Sequence, residues 1–424
     1  MTGSWRARLC AVAAVALVAG TSLVTLGAGS GSAASTSTAD PNVLDTSPPT
    51  VGSLRYLVDN AMAGDTILLQ AGATYVLADG SEGLACDELR VTEDITIQST
   101  STTQNATIKQ TCFDRVVKVD NSATLKNVTI TGGQRFNSGA GIKTQSRGTL
   151  VLDGVEITGN RSDEDGGGID AHGALTITNS TIADNCANGE SGAIVAHTGT
   201  GAISITNSTI TGNTQFDGGA VRVLAEGRPV TLTYVTLVDN TSTATANPCG
   251  IFPTSTDAGA PDDDADPLTP QDGTGAAAVN YVANLVTSIN HLTSFGSVIG
   301  LPGGPASVHN CFVNSVTSSG YNFEQGGVDA TSCGLTGGAG DVQNGADPAL
   351  GALGANGGPT TTRVPQTGSP LLNMIPIAAC GSPSGTITRD QRDVTRPQET
   401  GCEIGAVEIL AVLAAVELQP RFTG

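Results

Sequence analysis

Aromatic side chains are scarce in this chain, with 8 Phe, 5 Tyr and 1 Trp among 424 residues. A core of bulky rings is excluded, and the shortage argues against a sugar-binding cleft lined by stacking rings. Basic residues are few as well, 19 Lys and Arg against 39 Asp and Glu, for a formal net charge of -20. No nucleic-acid partner is expected, because phosphate binding needs clustered Lys and Arg and this field repels polyanions. There is no Cys-x-x-Cys, which leaves a zinc or redox site without support in the sequence. Gly-x-Ser-x-Gly, His-Glu-x-x-His, the phosphate-binding loop and the dinucleotide fingerprint are missing too, and with them those enzyme classes.

Glycine is abundant, at 55 residues, and the 39% hydrophobic fraction is mostly Ala, Val, Ile and Leu. Such a composition buries a sizeable interior when small β-branched residues are stacked regularly. Residues 1–34 read as a signal peptide. Arg6 and Arg8 precede an apolar stretch from Leu9 to Leu26, and small residues follow at Gly31–Ala34. No later run is apolar for long enough to span a bilayer. The expected location is therefore secreted or cell-envelope, and the expected state a monomer. Nine cysteines include Cys10 in the signal, and an even eight in an exported chain favours disulfides. Proximity pairs Cys86 with Cys112, Cys311 with Cys333 and Cys380 with Cys402, leaving Cys186 with Cys249 by elimination.

A repeat organises the middle of the chain. Leu125–Gly133, Leu152–Asn160, Ile177–Asn185, Ile205–Asn213 and Leu232–Asn240 align without gaps, their starts 27, 25, 28 and 27 residues apart. A second block recurs in step at Gly141-Ile142, Gly168-Ile169, Ala193-Ile194 and Ala220-Val221. Apolar residues alternate, as in Leu150 and Leu152, then Val155 and Ile157, which is the strand period of two. Each repeat reads as three short strands joined by bends. One such turn cannot bury its own apolar face, but turns stacked about 4.8 Å apart bury a continuous column. The expected fold is an all-β, right-handed parallel β-helix, or solenoid.

Asn160, Asn185, Asn213 and Asn240 hold one repeat position, so they should stack as an amide ladder at a bend whose backbone is left-handed. Gly166–Gly168 and Gly218-Gly219 sit where a side chain would be crowded. Six Asn-x-Ser/Thr triplets, at Asn105, Asn127, Asn160, Asn179, Asn207 and Asn240, read as by-products of the repeat rather than glycosylation sites. Residues 35–50 are a Ser/Thr/Pro-rich linker and 51–340 the β-helix. An irregular acidic loop spans 241–275, and weaker strands return from Ala277 to Phe323. Within Gly52–Ala63, Leu54, Leu57, Val58 and Ala61 share a helical face, predicting a short amphipathic helix that caps the open end.

The Gly-Gly-x-Ile and Ser-Thr-Ile-x-x-Asn units resemble the right-handed parallel β-helix repeat proteins of bacterial surfaces, including the polymorphic outer-membrane-protein type of repeat. The opening Gly52-Ser-Leu-Arg-Tyr-Leu with Ala63-Gly-Asp-Thr-Ile is similar to their amino-terminal cap. The segment beginning Asp347-Pro-Ala-Leu-Gly-Ala-Leu-Gly, with Asp390-Gln-Arg, Thr395-Arg-Pro and Cys402-Glu-Ile-Gly-Ala-Val-Glu, resembles the choice-of-anchor Q domain. That resemblance implies a C-terminal module over 341–408, a tail over 409–424 and attachment at the cell surface. Asp393 stands where that family is expected to carry Gly, and the tail holds no recognisable sortase motif.

Parallel β-helices often act on polysaccharides, so the outward face is the place to look for chemistry. Alternation from Ile142, Ile169, Ile194 and Val221 puts Lys143, Asp170, Val195 and Arg222 outward, with Gln145, His172, His197 and Leu224 two residues further. A patch of Lys143, Asp170, His172, His197 and Arg222 could bind an acidic sugar and move a proton. It lacks the several carboxylates a calcium-dependent lyase wants, and the carboxylate pair of a hydrolase. Ca²⁺ is the one cofactor considered, at Asp163 and Asp165 or at Asp262 and Asp264, although neither group has the spacing of a defined calcium loop. Outward Thr129, Thr181, Thr209 and Thr236 could offer hydroxyls to a ligand. The reading is a non-catalytic envelope scaffold that binds a glycan or a surface protein. The alternative is a polysaccharide lyase or glycoside hydrolase.

Overall fold

The computed structural model describes residues 33–43, 49–77, 87–145, 148–197, 201–216, 218–224, 227–245, 247–250, 281–326, 333–381, 383 and 385–410. The signal before Ala33, Cys86, the acidic cluster with Asp262 and Asp264, and the tail from residue 411 lie outside them.

From Ala34 onward the described residues belong to one compact unit, a parallel right-handed β-solenoid. A representative turn runs through Ile142–Thr144, Thr149–Asp153, Glu156–Thr158 and Arg161–Ser162 before the next begins at Ile169–Ala171. A turn of the repeat region thus has four strands where three were expected. The fourth is two residues long, and it stacks into a five-stranded sheet of its own, Gln134–Arg135 to Thr241–Ser242. We number the faces one to four in that order. Every pairing along them is parallel, and Ile142 lies beside Ile169, Ile169 beside Ile194 and Ile194 beside Val221. On face three Ile130, Ile157, Ile182, Ile210 and Leu237 form one inward column, each 1% exposed or less. Burial of an Ile or Leu side chain contributes about 1.5–3 kcal/mol, so the columns supply the main stabilisation.

The ends depart from the sequence reading. Within the expected linker, Thr36–Thr38 is a strand paired with Thr66–Leu68, so the solenoid starts before residue 51. The cap helix forms at Leu54–Asp59, shorter than expected, with Ser53 Oγ accepting from the Tyr56 N–H at 3.2 Å. It buries Leu54 and Val58, and also Arg55, which donates to the Glu88 and Asp87 carbonyls. After the interrupted period one 14-residue strand, Val282–Phe295, joins faces one and two, lying beside Val221 through Leu285 and beside Val230 through Leu292. Val342–Gly345 is still a rung of face three, so the solenoid runs past residue 340.

Among the described residues three disulfides join Cys186 to Cys249, Cys311 to Cys333 and Cys380 to Cys402, with Cα separations of 5.5, 4.8 and 5.9 Å. Among the described residues no helix is long and apolar enough to cross a membrane.

Candidate functional site

The expected outward row on face one is in register. Lys143 lies beside Asp170, Asp170 beside Val195 and Val195 beside Arg222. The pairing of Ala171 with Ala196 brings the next residues, His172 and His197, over one another, and their rings stack with centroids 4.8 Å apart and planes 17° from parallel. Asp170 Oδ1 lies 3.1 Å from His172 Nε2 and 3.4 Å from His197 Nε2, while Oδ2 lies 3.5 Å from Lys143 Nζ. Arg222 is separated from this group by Val195 and pairs with Glu190 instead.

The row is enclosed rather than solvated. Asp170 is 1% exposed, His172 4% and Lys143 9%. The chain between face four and face one folds back over the row at glycines with positive φ, Gly139 at 75° and Gly166 at 62°. A Cβ on Gly139 would stand 2.7 Å from Asp170 Cβ, and one on Gly166 would stand 2.8 Å from Val195 Cγ1. Only a residue without a side chain lets the backbone lie this close.

Burial raises the Asp170 carboxyl, but the charges of His197, His172 and Lys143 outweigh it and hold the group below the usual carboxylate range. Burial pushes the His197 imidazole down, against the opposing charge of Asp170. Arg228, 2% exposed, reaches beneath the pair from another turn. It donates to the His197 carbonyl at 2.8 Å, to the Gly201 carbonyl at 3.0 Å and to the Gly173 carbonyl. The sequence offered no sign of Arg228, because its position has no basic counterpart in the neighbouring repeats. The same holds for Arg115 in the buried group next along the row, whereas Lys118, which faces Glu88 with it, lies in register between Arg90 and Lys143.

The acidic bends do not converge. Asp163 accepts from Asn188 Nδ2 at 2.7 Å and Asp165 from the Glu190 N–H at 2.6 Å, which ties successive turns together. Among the described residues the one cluster of three potential metal ligands is Asp170, His172 and His197.

From Thr181 through Thr236 the Thr row of face three is covered by the chain's own C-terminal segment, while Thr129 stays half-buried. Thr209 Oγ1 donates to Gln391 Oε1 at 2.6 Å, and Gln391 Nε2 donates to Thr181 Oγ1 at 2.7 Å. Thr236 Oγ1 accepts from the Ala406 N–H at 3.0 Å. These hydroxyls are a docking seam and are closed to an outside ligand.

Face two carries another hydroxyl row, which the sequence reading passed over. Thr36, Thr66, Thr96 and Thr124 stack in register and, past Val151, the column continues through Thr176, Ser204, Thr231 and Thr293. From Thr66 to Thr293 these residues are half-buried, as expected for a sheet face open on its outer side. At about 4.8 Å per rung, the eight steps span roughly 40 Å.

Residues 89–257 match the family described as a right handed beta helix region, in agreement with the geometry. No curated protein and no solved structure is significantly similar to the chain.

Proposed function

We propose that this is an exported, envelope-associated β-solenoid that binds a surface glycan without catalysing its cleavage, with face two as the contact surface. The supporting observation is the in-register hydroxyl column of that face. Each Thr or Ser hydroxyl is both donor and acceptor, and the rungs repeat at a fixed step. A linear polysaccharide also presents hydroxyls at a fixed step, so many weak hydrogen bonds act together along one chain. The choice-of-anchor resemblance of the C-terminal segment supplies the envelope part of this reading, and the disulfides agree with an oxidising compartment.

The lyase or hydrolase reading is less favoured because its carboxylate, Asp170, is enclosed beneath the Gly139 segment, where a polymer does not reach. The test is a glycan array followed by affinity measurement. Replacing Thr176 and Thr231 with Val keeps shape and strand propensity while removing two hydroxyls. The expected result is about tenfold weaker glycan binding at an unchanged melting temperature, since each lost hydrogen bond is worth about 0.5–1.5 kcal/mol. Cleavage of pectin, alginate or chondroitin by the purified protein, abolished by Asp170→Ala or His197→Ala, would overturn the reading in favour of the enzyme. Cell fractionation tests the envelope location.

A further inference from the structure

We propose that Asp170, His172 and His197 form a binding site for a transition metal ion of the Zn²⁺ class, independent of glycan binding on face two. The donor set decides the class of ion. Two imidazoles and one carboxylate suit Zn²⁺ and its first-row neighbours, whereas Ca²⁺ asks for six to eight oxygens and finds one carboxylate here.

Geometry agrees with the donor set. Two ligands each about 2.0–2.1 Å from a tetrahedral ion lie roughly 3.3 Å apart. The Asp170 Oδ1 contacts to the two imidazole nitrogens are 3.1 and 3.4 Å. The three ligand atoms lie within 4.8 Å of one another, and a small turn of His197, whose side chain is the most exposed of the three at 21%, would close the remaining edge.

The second observation is unsatisfied polarity. Neither Asp170 oxygen and neither ring nitrogen of His172 makes a well-formed hydrogen bond among the described residues, the contacts of Asp170 with His172 and Lys143 at 3.1 and 3.5 Å being ion pairs, although both side chains are more than nine-tenths buried. Buried polar groups are rarely left so. An ion between Oδ1 and the imidazoles satisfies Oδ1 and a nitrogen of each ring at once. Lys143 stays 3.5 Å from the other oxygen, Oδ2, and Arg228 donates to the His197 carbonyl at the strand end. The partly exposed His197 side leaves one coordination position towards solvent, for water or a ligand donor atom.

The experiment uses the full, untagged chain with ZnCl₂, CoCl₂ and CaCl₂ as probes in titration calorimetry, with Co²⁺ absorption read for a tetrahedral N/O set. One Zn²⁺ per chain is expected, with binding weakened at least ~10-fold in His197→Gln, the scale seen when a metal site loses a supporting group. His197 is partly exposed, so this variant is expected to fold, which thermal melting checks. His291→Gln, which removes a histidine elsewhere, is expected to bind as the parent does. Absence of Zn²⁺ binding, binding unaffected by His197→Gln, or Ca²⁺ bound as tightly as Zn²⁺ overturns the proposal.

Discussion

At the bends, single asparagines bind one turn to the next. Asn160 Nδ2 donates to Asn185 Oδ1 at 2.9 Å, Asn185 to Asn213 at 3.0 Å and Asn213 to Asn240 at 2.9 Å. The ladder then continues into Asn284 and Asn310. Four rungs are readable because they recur at one repeat position. The last two are hidden because Asn284 follows Asn240 by 44 residues, so no period points to it. The left-handed backbone, however, belongs to the preceding residues, Gly159, Asp184, Gly212 and Asp239. The four repeat asparagines thus supply amides rather than the left-handed residue, and each is 1% exposed or less. Asn127, Asn179 and Asn207 are themselves left-handed, at φ 51°, 52° and 44°, which gives a conformational reason for the first residue of those triplets. Asp393, at the position expected to be Gly, is likewise left-handed at φ 69°. Asn213→Ala removes a side chain whose Oδ1 accepts from Asn185 and whose Nδ2 donates to the Ile182 and Thr211 carbonyls. Denaturant unfolding is expected to show a loss of about 2–4 kcal/mol, more than for Asn310→Ala at the end of the ladder, because each orphaned buried group costs about 1–3 kcal/mol.

For the elements, alternation revealed the strands of faces one to three but not the two-residue strands of face four, which are too short to show a period. Outwardness was also readable, and the Lys143, Asp170, Val195 and Arg222 row is as expected. What lies over an outward residue was not, because the covering segments come from other parts of the chain. Thr181 and Thr209 look the same as the hydroxyls of face two in sequence, yet Gln391, 182 residues beyond Thr209, sits on them. Gln391 is 1% exposed and also donates to Thr360 Oγ1 and the Ser180 carbonyl. Gln391→Ala should therefore loosen the C-terminal segment. Limited trypsin digestion is expected to cut faster at Arg389 and Arg392, with sites on solenoid strands such as Lys143 in Ile142–Thr144 remaining protected, since cleavage follows the population of the locally opened form. Unchanged cleavage would show that apolar contacts alone hold the seam.

Across the whole molecule, the C-terminal segment is clamped to the solenoid by one buried cation. The Arg396 guanidinium lies 4.0 Å over the Tyr234 ring, 2.5 Å from Glu408 Oε1 and within hydrogen-bond reach of the Gly405 carbonyl. Burial pushes the Glu408 carboxyl up to about 8, helped by the nearby charge of Glu403 and opposed by Arg396. In the unfolded chain the same group ionises near 4.5. Between those values the folded protein holds a proton that the unfolded chain has released, so stability is full below pH 4.5 and is lost as pH rises towards 8. Melting temperature is expected to fall between pH 5 and pH 8, and Glu408→Gln, which cannot ionise, is expected to flatten that slope. An equal slope in the variant would place the pH dependence on other groups.

The sequence by itself determined the solenoid, its inward columns and the amide ladder, because each follows from a local period repeated along the chain. The tertiary structure alone decided which outward face stays open and which is covered, and it enclosed Asp170 with two histidines. Those outcomes depend on how far segments return across the stack, and contacts between residues such as Gln391 and Thr209 leave no period to read. The scarcity of aromatic residues fits both levels. Turns stacked about 4.8 Å apart leave room for branched aliphatic columns more readily than for rings, and the described Phe295 and Tyr234 meet where the C-terminal segment packs on the stack.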